Sequence, residues 1–168
     1  MSTFFIADTH FGDDSIRRYE NRPFATVEEM DGAIIKNWNE TVSDEDTVYL
    51  VGDVGDVKKL SGLNGMIILI RGNHDKLPSE EYKACGVSDV YDLPVVYENF
   101  WILSHEPMYV NRNAPYANIF GHIHNNPQYK TVSERSFCVS AERIGFTPIS
   151  FEEIVRRVKE EDEKRSSC

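Results

Sequence analysis

The chain has 168 residues, 40% of them hydrophobic and 27% charged, which is the composition of an ordinary globular protein, and we expect one domain spanning residues 1–168. Its formal net charge of −10 argues against a protein that wraps duplex nucleic acid, because such proteins carry a basic surface patch. The charge does not exclude a small anionic substrate, because bound metal ions can reverse the local field.

Targeting and redox features predict a cytoplasmic protein. The N-terminus lacks the basic segment of a signal peptide, and no apolar stretch approaches the length of a membrane span. Cys85, Cys138 and Cys168 are far apart and form no CxxC pair. We therefore expect reduced thiols rather than a disulfide framework.

The first half of the chain is predicted to alternate strands with helices. Short apolar runs predict buried strands at residues 3–7, 48–51 and 66–70. A short helix is expected over residues 15–21. A longer helix is expected over residues 27–41, because Thr26 and Glu29 form a capping box in front of it. A helix between two strands makes a βαβ unit, so the first two strands should pair in parallel.

The second half of the chain is predicted to be richer in β structure. A short helix over residues 79–85 is followed by candidate strands at 95–97, 101–103, 119–120, 129–132 and 137–139. Ser150 and Glu153 form another capping box and open a C-terminal helix that should end near residue 160. The expected fold class is α/β, with a two-layered β core, a sandwich of mixed sheets, flanked by helices.

Polar residues with metal-binding side chains follow the predicted strands. They are Asp8, His10, Asp53, Asn73, His105, His122 and His124, with His74 next to Asn73. Ligands of open α/β sheets bind beyond the carboxyl ends of the strands, so these side chains should meet at one edge. Seven ligands exceed the capacity of one ion but fit two if Asp53, alone at its strand end, bridges them. Mixed imidazole and carboxylate ligation suits Mn, Fe, Zn, Co or Ni rather than Ca or Mg.

The order of these motifs resembles that of the calcineurin-like metallophosphoesterase superfamily. The matching blocks are Asp8-Thr9-His10, Gly52-Asp53, Gly72-Asn73-His74-Asp75, His105 and Gly121-His122-Ile123-His124. The segment 5–24 is similar to the small bacterial and phage members in particular. One departure is Asp13, which stands where a histidine often follows Phe11-Gly12 in those members.

The resemblance implies a phosphoesterase with two divalent metal ions, manganese being the expected metal. One ion would take Asp8, His10, Asp53 and His124, and the other would take Asp53, Asn73, His105 and His122. A hydroxide bridging the ions would attack the phosphate ester. His74 would be the general acid that protonates the leaving oxygen, and Asp56 would orient it.

The sequence alone allows two interpretations of some residues. Asp56 either assists His74 or caps a turn. Arg71 either binds phosphate oxygens, together with Asn73, or pairs with surface acids, and Asp75 is expected to fix its own loop. The arginines near residue 20 either rim the cleft and bind phosphate or lie on solvated helix faces; they are Arg17, Arg18 and Arg22.

The expected function is the metal-dependent hydrolysis of a small phosphate ester, with phosphodiesters favoured over monoesters. A non-catalytic interaction scaffold of the same fold is an alternative, although His74 and every ligand are retained. A nuclease acting on polymeric nucleic acid is a further alternative, which would need a basic groove. We expect neither a membrane partner nor stable binding to duplex nucleic acid.

Overall fold

Most of the predicted strands and helices are present in the structure, a computed structural model that describes residues 1–111, 113–128, 133 and 135–166. The strands are β1 (Thr3–Ile6), β2 (Thr47–Leu50), β3 (Met66–Ile70), β4 (Val87–Tyr91), β5 (Val95–Tyr97), β6 (Trp101–Ser104), β7 (Ala117–Phe120), β8 (Ser136–Cys138) and β9 (Ile149–Ser150). The α-helices are α1 (Asp14–Tyr19), α2 (Val27–Thr41), α3 (Ser79–Ala84) and α4 (Phe151–Ser166). Two short 3-10 helices cover Val57–Gly62 and Ala141–Ile144.

The described strands form two sheets. The first has the order β4-β3-β2-β1-β9, and all its neighbours are parallel except the antiparallel pair β1–β9. The second has the order β5-β6-β7-β8, with β5 antiparallel to β6 and the rest parallel. The predicted parallel pairing of the first two strands, which are connected through α2, is confirmed.

One predicted strand falls outside the described ranges, and two observed strands were not predicted. The strand predicted at residues 129–132 lies outside the described residues. Sequence patterns missed β4, whose Val-Ser-Asp-Val-Tyr segment is polar at its centre and buried only at Val87 among its five residues. They also missed β9, which has two residues, too few to show a period.

The two sheets pack face to face, with α2 and α3 on the far side of the first sheet. Because side chains alternate along a strand, Phe5 points into the layer between the sheets and Ile6 into the layer beneath the helices. The first layer includes Ala7, Val51, Ile70, Trp101, Leu103, Ile119 and Val139. The second includes Met30, Ile34, Trp38, Val48, Leu50, Leu69 and Tyr82. The two-layered β core with flanking helices is thus confirmed.

Helix boundaries follow the predicted caps at their N-termini. The Glu29 N–H donates to Thr26 Oγ1 at 3.2 Å, and the Glu153 N–H donates to Ser150 Oγ at 3.3 Å. The predicted end of the last helix near residue 160 was wrong, because α4 continues to Ser166. None of the described helices combines the length and apolarity needed to cross a membrane.

The loops that leave the carboxyl ends of the strands are tied to one another by backbone hydrogen bonds. The Asp8 N–H donates to Gly52 O at 2.9 Å, and the His10 N–H donates to Asp53 O at 3.0 Å. The Ala7 N–H donates to Val139 O at 2.9 Å, which joins the first sheet to the second. The strand ends of both sheets therefore meet at one edge of the sandwich.

Candidate metal centre

The seven predicted ligands lie together at this edge. Six of them form two groups, Asp8 with His10 and His124, and Asp53 with His105 and His122. Within each group, one potential ligand atom per residue lies within 4.8 Å of the others. We call these the first group and the second group. Their membership is the division that the motif pattern predicts.

Asp53 lies between the two groups. Its Oδ2 is 3.3 Å from His105 Nε2 in the second group and 3.6 Å from His10 Nε2 in the first. Asn73 joins the second group, because its Oδ1 lies 3.0 Å from both His105 Nε2 and His122 Nδ1. Asp53 therefore has the location that a shared ligand requires.

The backbone is strained at most of the predicted ligands. Asp8, His10, Asp53, His122 and His124 all have positive φ, between 45° and 70°. Among the described residues, only four other non-glycine residues share this conformation, namely Asn21, Glu98, Asn99 and Phe146. Such backbone costs on the order of 1–3 kcal/mol per residue and persists where the surroundings enforce it. Its concentration at these five positions is typical of functional sites.

Glycines in the motifs allow close packing behind the ligands. Gly52 has φ 84°, and a Cβ there would clash with the ring of His105 and lie 2.7 Å from the backbone of Gly72. A Cβ on Gly121 would lie 2.8 Å from Asp8 Oδ2. A larger residue at either position would displace a predicted ligand.

The tautomer of His105 is fixed by its surroundings. Its Nδ1 lies 2.9 Å from Val51 O, and because a carbonyl only accepts, Nδ1 carries the proton. The Nε2 lone pair of neutral His105 then faces the Asp53 carboxylate. Burial lowers the pKa of His105, but the hydrogen bond to Asp53 and the charges of Asp8 and Asp53 outweigh it and raise that pKa to about 9. The second group thus favours a positive charge between its members, a proton or a metal ion.

The first group also fits a cation. His10 Nε2 is buried and, within the part of the chain that the structure describes, has no hydrogen-bond partner. Burial lowers the pKa of His10 to about 4, so its ring is neutral at neutral pH and one of its two nitrogens offers a lone pair. Asp8 is 0% exposed, and burial raises its pKa to about 6. An unpartnered imidazole nitrogen beside a desolvated carboxylate is what a divalent ion with mixed N and O ligands would complete.

Asp75 holds the ligand loops and does not belong to either group. Its Oδ2 accepts from the N–H groups of Asp53 and Gly72, both at 2.8 Å, and its Oδ1 accepts from the Val54 N–H at 3.0 Å. The expectation that Asp75 fixes its own loop is confirmed, and it fixes the Asp53 loop as well.

His74 stands apart from the ligand groups although it follows Asn73. Its side chain is exposed, and its backbone N–H donates to Asp53 Oδ1 at 2.9 Å. Its ring centroid is 5.5 Å from that of His10. The structure therefore brings His74 beside the cluster, and its role as general acid stays a prediction.

Two residues predicted to support catalysis have other contacts. The exposed Asp56 caps the 3-10 helix Val57–Gly62, where its carboxylate accepts from the Lys58 N–H at 3.1 Å. The Arg71 guanidinium is 2.6 Å from the Asp92 carboxylate and packs 4.9 Å from the Tyr82 ring centroid. It also donates to Asp75 O, Leu77 O and Ser79 Oγ. These contacts favour the turn-cap interpretation of Asp56 and the acid-pairing interpretation of Arg71.

Each of the arginines near residue 20 pairs with a carboxylate of the chain. Arg18 is exposed and forms an ion pair with Asp14. Arg17 donates hydrogen bonds to the Asp14 carboxylate and to the Phe24 carbonyl. Arg22 is buried, so its placement on a cleft rim or a solvated helix face was wrong. Asp13 caps α1 by accepting from two backbone N–H groups.

Glu142 is a polar neighbour of the site that sequence patterns missed. Its Oε1 lies 3.0 Å from Nδ1 of the predicted ligand His124 and 2.7 Å from Arg22 Nη2. Burial raises the pKa of Glu142, but His124 and Arg22 lower it more, so it is a carboxylate at neutral pH. A signal was available, because Glu142 follows the predicted strand at 137–139 as the other site residues follow theirs.

A cleft of about 480 Å³ opens beside the predicted ligands His122 and His124. Its wall includes the carboxylates Glu20 and Glu106 and the side chain of Tyr19, which is 80% exposed. No lysine or arginine is among the described residues that line it. A molecule entering this cleft meets negative charge and an aromatic ring.

Comparison with known proteins identifies a relative of nearly the same length. No known family profile matches the sequence. The chain is 37% identical over 171 aligned residues to the uncharacterised protein MJ1445 of Methanocaldococcus jannaschii, covering 93% of this chain and 90% of that protein. The chain belongs to the same family as that protein. It is also 32% identical over 83 residues to the gene 66 protein of Mycobacterium phage L5, covering 44% of this chain and 40% of the phage protein.

Two solved structures share the fold. The protein of unknown function AQ665 from Aquifex aeolicus has a TM-score of 0.72 at 24% identity, covering 92% of this chain and 98% of that one. The nuclease MPE from Pseudomonas putida has a TM-score of 0.52 at 21% identity, covering 73% of this chain and 61% of the nuclease. At these identities the likeness concerns the fold alone.

Proposed function

We propose that the chain is a metal-dependent phosphoesterase of the calcineurin-like metallophosphoesterase superfamily. The observation that carries this proposal is the convergence of seven potential ligands in two groups, with Asp53 between them. The fold shared with a solved nuclease structure is compatible with it.

The residues of the two groups would hold two divalent ions. The first group would hold one ion together with Asp53, and the second group, of which Asp53 is a member, would hold the other together with Asn73. Manganese is the expected metal, with Fe, Zn, Co or Ni as alternatives. Bound ions of this kind lower the pKa of water from about 15.7 towards 7 and polarise phosphate oxygens. The surroundings that enforce the strained backbone would also keep the ligands in place before any ion binds, so little reorganisation would be needed.

His74 would deliver a proton to the leaving oxygen. Its ring belongs to neither ligand group and is exposed to solvent. The hydrogen bond from its backbone N–H to Asp53 Oδ1 fixes its position relative to the shared ligand. Asp56 as its orienting partner remains part of the proposal, although its observed contact is the helix cap.

The cleft favours a small phosphodiester. A diester carries one negative charge at neutral pH, whereas a monoester carries nearly two. The carboxylates of Glu20 and Glu106 would therefore repel a monoester more strongly than a diester. The exposed ring of Tyr19 offers a surface for a planar or apolar alcohol group.

A hydrolysis assay on the metal-stripped and reloaded chain tests the proposal. We expect Mn²⁺ to restore cleavage of bis(p-nitrophenyl) phosphate and to give slower cleavage of p-nitrophenyl phosphate. Bound metal without hydrolysis, under saturating Mn, Fe, Zn, Co and Ni, would favour the interaction scaffold instead. Faster cleavage of the monoester would overturn the diester preference alone.

A nuclease acting on polymeric nucleic acid is the second candidate. It is favoured by the fold shared with nuclease MPE. Against it stand the net charge of −10 and the acidic cleft, since single-strand binders combine a positive groove with stacking aromatics. Cleavage of single-stranded and duplex oligonucleotides should be compared with cleavage of the small diester. Higher kcat/KM on a polymer, falling with added salt, would make the nuclease the better description.

A further inference from the structure

A buried ion pair lies directly behind the first ligand group. Arg22 Nε donates to Glu142 Oε1 at 2.8 Å, and Arg22 Nη2 lies 2.7 Å from the same oxygen. The Arg22 side chain is 0% exposed and that of Glu142 is 6% exposed. The same Oε1 accepts from His124 Nδ1 at 3.0 Å. One carboxylate oxygen thus joins an arginine to a predicted metal ligand.

Arg22 also binds the backbone of the segment that carries Asp8, another member of the first group. Its Nη2 donates to Asp8 O at 2.6 Å, and its Nη1 donates to Thr9 O at 2.9 Å. Its guanidinium carbon lies 5.6 Å from the ring centroid of Phe146. The pair therefore connects the loop that carries Asp8 with the loop that carries His124, two loops more than 110 residues apart in the chain.

A carboxylate beside His124 determines which ring nitrogen carries the proton. An ionised carboxylate only accepts, so Nδ1 of His124 must donate to Glu142. The lone pair of neutral His124 is then on Nε2. A carboxylate partner also makes the imidazole a more basic metal ligand than a carbonyl partner does, because it stabilises the positive charge that develops on the ring.

We propose that Glu142, anchored by Arg22, is a positioning residue that sets the metal affinity of the first group without affecting the second. This inference rests on the proposed function. In the second group the equivalent partner of His105 is the uncharged carbonyl of Val51. The two groups therefore differ in the charge behind one histidine, and Glu142 contacts only the first.

The test measures each group separately. His122→Ala removes a ligand of the second group, and His10→Ala removes one of the first. Mn²⁺ is titrated into each background, and free Mn²⁺ is followed by electron paramagnetic resonance. In the His122→Ala background, Glu142→Gln should weaken binding about tenfold and Glu142→Leu about a hundredfold, the range found for outer partners of metal ligands. The glutamine oxygen can still accept from Nδ1, so it preserves orientation and loses only the charge.

The His10→Ala background supplies the internal control. There, both Glu142 variants should leave Mn²⁺ affinity unchanged, because the remaining ion is held by the second group, which Glu142 does not contact. Asp46→Asn is the matched control for the loss of a buried carboxylate, since Asp46 is 8% exposed and accepts from Ser2 and Ser43 away from the ligands. It should lower stability and leave Mn²⁺ affinity unchanged in both backgrounds.

Circular dichroism of the metal-free variants checks folding, and Glu142→Gln suffices if Glu142→Leu does not fold. Equal weakening in both backgrounds would overturn the inference, because it would mean that Glu142 only supports the fold. Unchanged affinity in the His122→Ala background would overturn it too. A wild-type chain that takes up no Mn²⁺ would overturn the proposed function itself, whereas two equivalents in the wild type with no effect of Glu142 would overturn only the inference.

Discussion

Two buried aspartates lie at opposite ends of the neighbouring parallel strands β1 and β2, and they show how differently one residue type can be used. Asp46 precedes β2, and its carboxylate accepts from the Ser2 N–H, the Ser43 N–H and the Ser43 hydroxyl, at 2.6, 2.9 and 2.7 Å. The backbone hydrogen bond from Ser2, followed by those from Ser43, lowers the pKa of Asp46 to about 2. Asp8 follows β1, and burial raises its pKa to about 6.

The two carboxylates differ in the groups that compensate each of them for the loss of hydration on burial. At the amino end of the strands, the protein supplies enough N–H and O–H donors to stabilise the ionised form of Asp46. At the carboxyl end, Asp8 accepts from the His122 N–H at 2.9 Å, but this does not offset its complete burial. His10 beside it has a buried nitrogen with no partner among the described residues. The carboxyl end thus has groups that could bind a metal ion.

The largest expected effect is a difference in activity between the Asp8→Asn and Asp46→Asn variants. With saturating Mn²⁺, Asp8→Asn should lower kcat/KM for bis(p-nitrophenyl) phosphate roughly 10⁴-fold, because losing an ion removes several kcal/mol of transition-state stabilisation. Asp46→Asn should retain activity. Steady-state kinetics with metal analysis of each variant provides the measurement. Equal losses in both variants would mean that the two ends do not differ in function.

The next effect separates His74 from the predicted ligands at the carboxyl end. His74→Ala should keep its metal content and lose about 10³-fold in kcat for a diester with an alkoxide leaving group, within the range of general acid catalysis. The loss should be much smaller for p-nitrophenolate, which departs without a proton. Equal losses on both substrates would show that His74 positions the phosphate. Loss of metal would make it a ligand.

In the metal-free protein at pH 7, the two substitutions should have opposite effects on stability: Asp8→Asn should raise the free energy of unfolding, and Asp46→Asn should lower it. The pKa of Asp8 is about 6 in the folded chain against an ordinary value of 3.8, so its contribution to stability is present below pH 4 and is lost as the pH rises through 6. Asp8→Asn should therefore stabilise the chelated protein at pH 7 by on the order of 3 kcal/mol, at about 1.36 kcal/mol per pKa unit. Urea denaturation at pH 4 and pH 7 measures this. A destabilised variant at pH 7 would contradict it.

Metal itself should stabilise the carboxyl end. The strands are buried by apolar packing, so the chelated protein should keep its far-UV circular dichroism, unlike a zinc finger. Free Mn²⁺ at 100 times its Kd should raise the free energy of unfolding by about 2.7 kcal/mol for each occupied site. Asp8→Asn should gain less than the wild type, and Asp46→Asn should gain as much. A coil spectrum after chelation would show that the ions, and not the core, hold the fold.

The smallest effect concerns the amino end alone. Because the pKa of Asp46 is lowered to about 2, its stabilising contribution is present above pH 4 and is lost as the pH falls through 2. Asp46→Asn should therefore be less stable than the wild type at pH 7, and the difference should shrink as the pH approaches 2. Denaturation curves across this range provide the check. A difference that grows on acidification would contradict the hydrogen-bonding explanation.

Sequence patterns located the strand ends and the side chains that follow them. Runs such as the one before Asp53 are short, apolar and bounded by glycine, so burial and position in a parallel sheet can be inferred locally. The rule that ligands bind beyond the carboxyl ends then groups residues as distant as Asp8 and His124. The structure brings these residues together, and their division into two groups agrees with the motif pattern.

Other features depended on contacts that no local pattern encodes. Arg22 belongs to a loop beside a short helix and resembled a surface residue, yet it is buried against Glu142, 120 positions away. The edge strand β4 is half polar, and β9 has only two residues, so neither shows the periodicity of a buried strand.

The sequence by itself determined which residues are buried in strands and which polar residues follow them, because both depend on the spacing of side chains along a few consecutive residues. Only the tertiary structure decided the partners of each polar group. Those partners come from loops that meet after the two sheets have packed, and their contacts depend on the relative positions of distant segments. The opposite pKa changes of Asp8 and Asp46 follow from this second step, since the two are the same residue type beside similarly apolar strands.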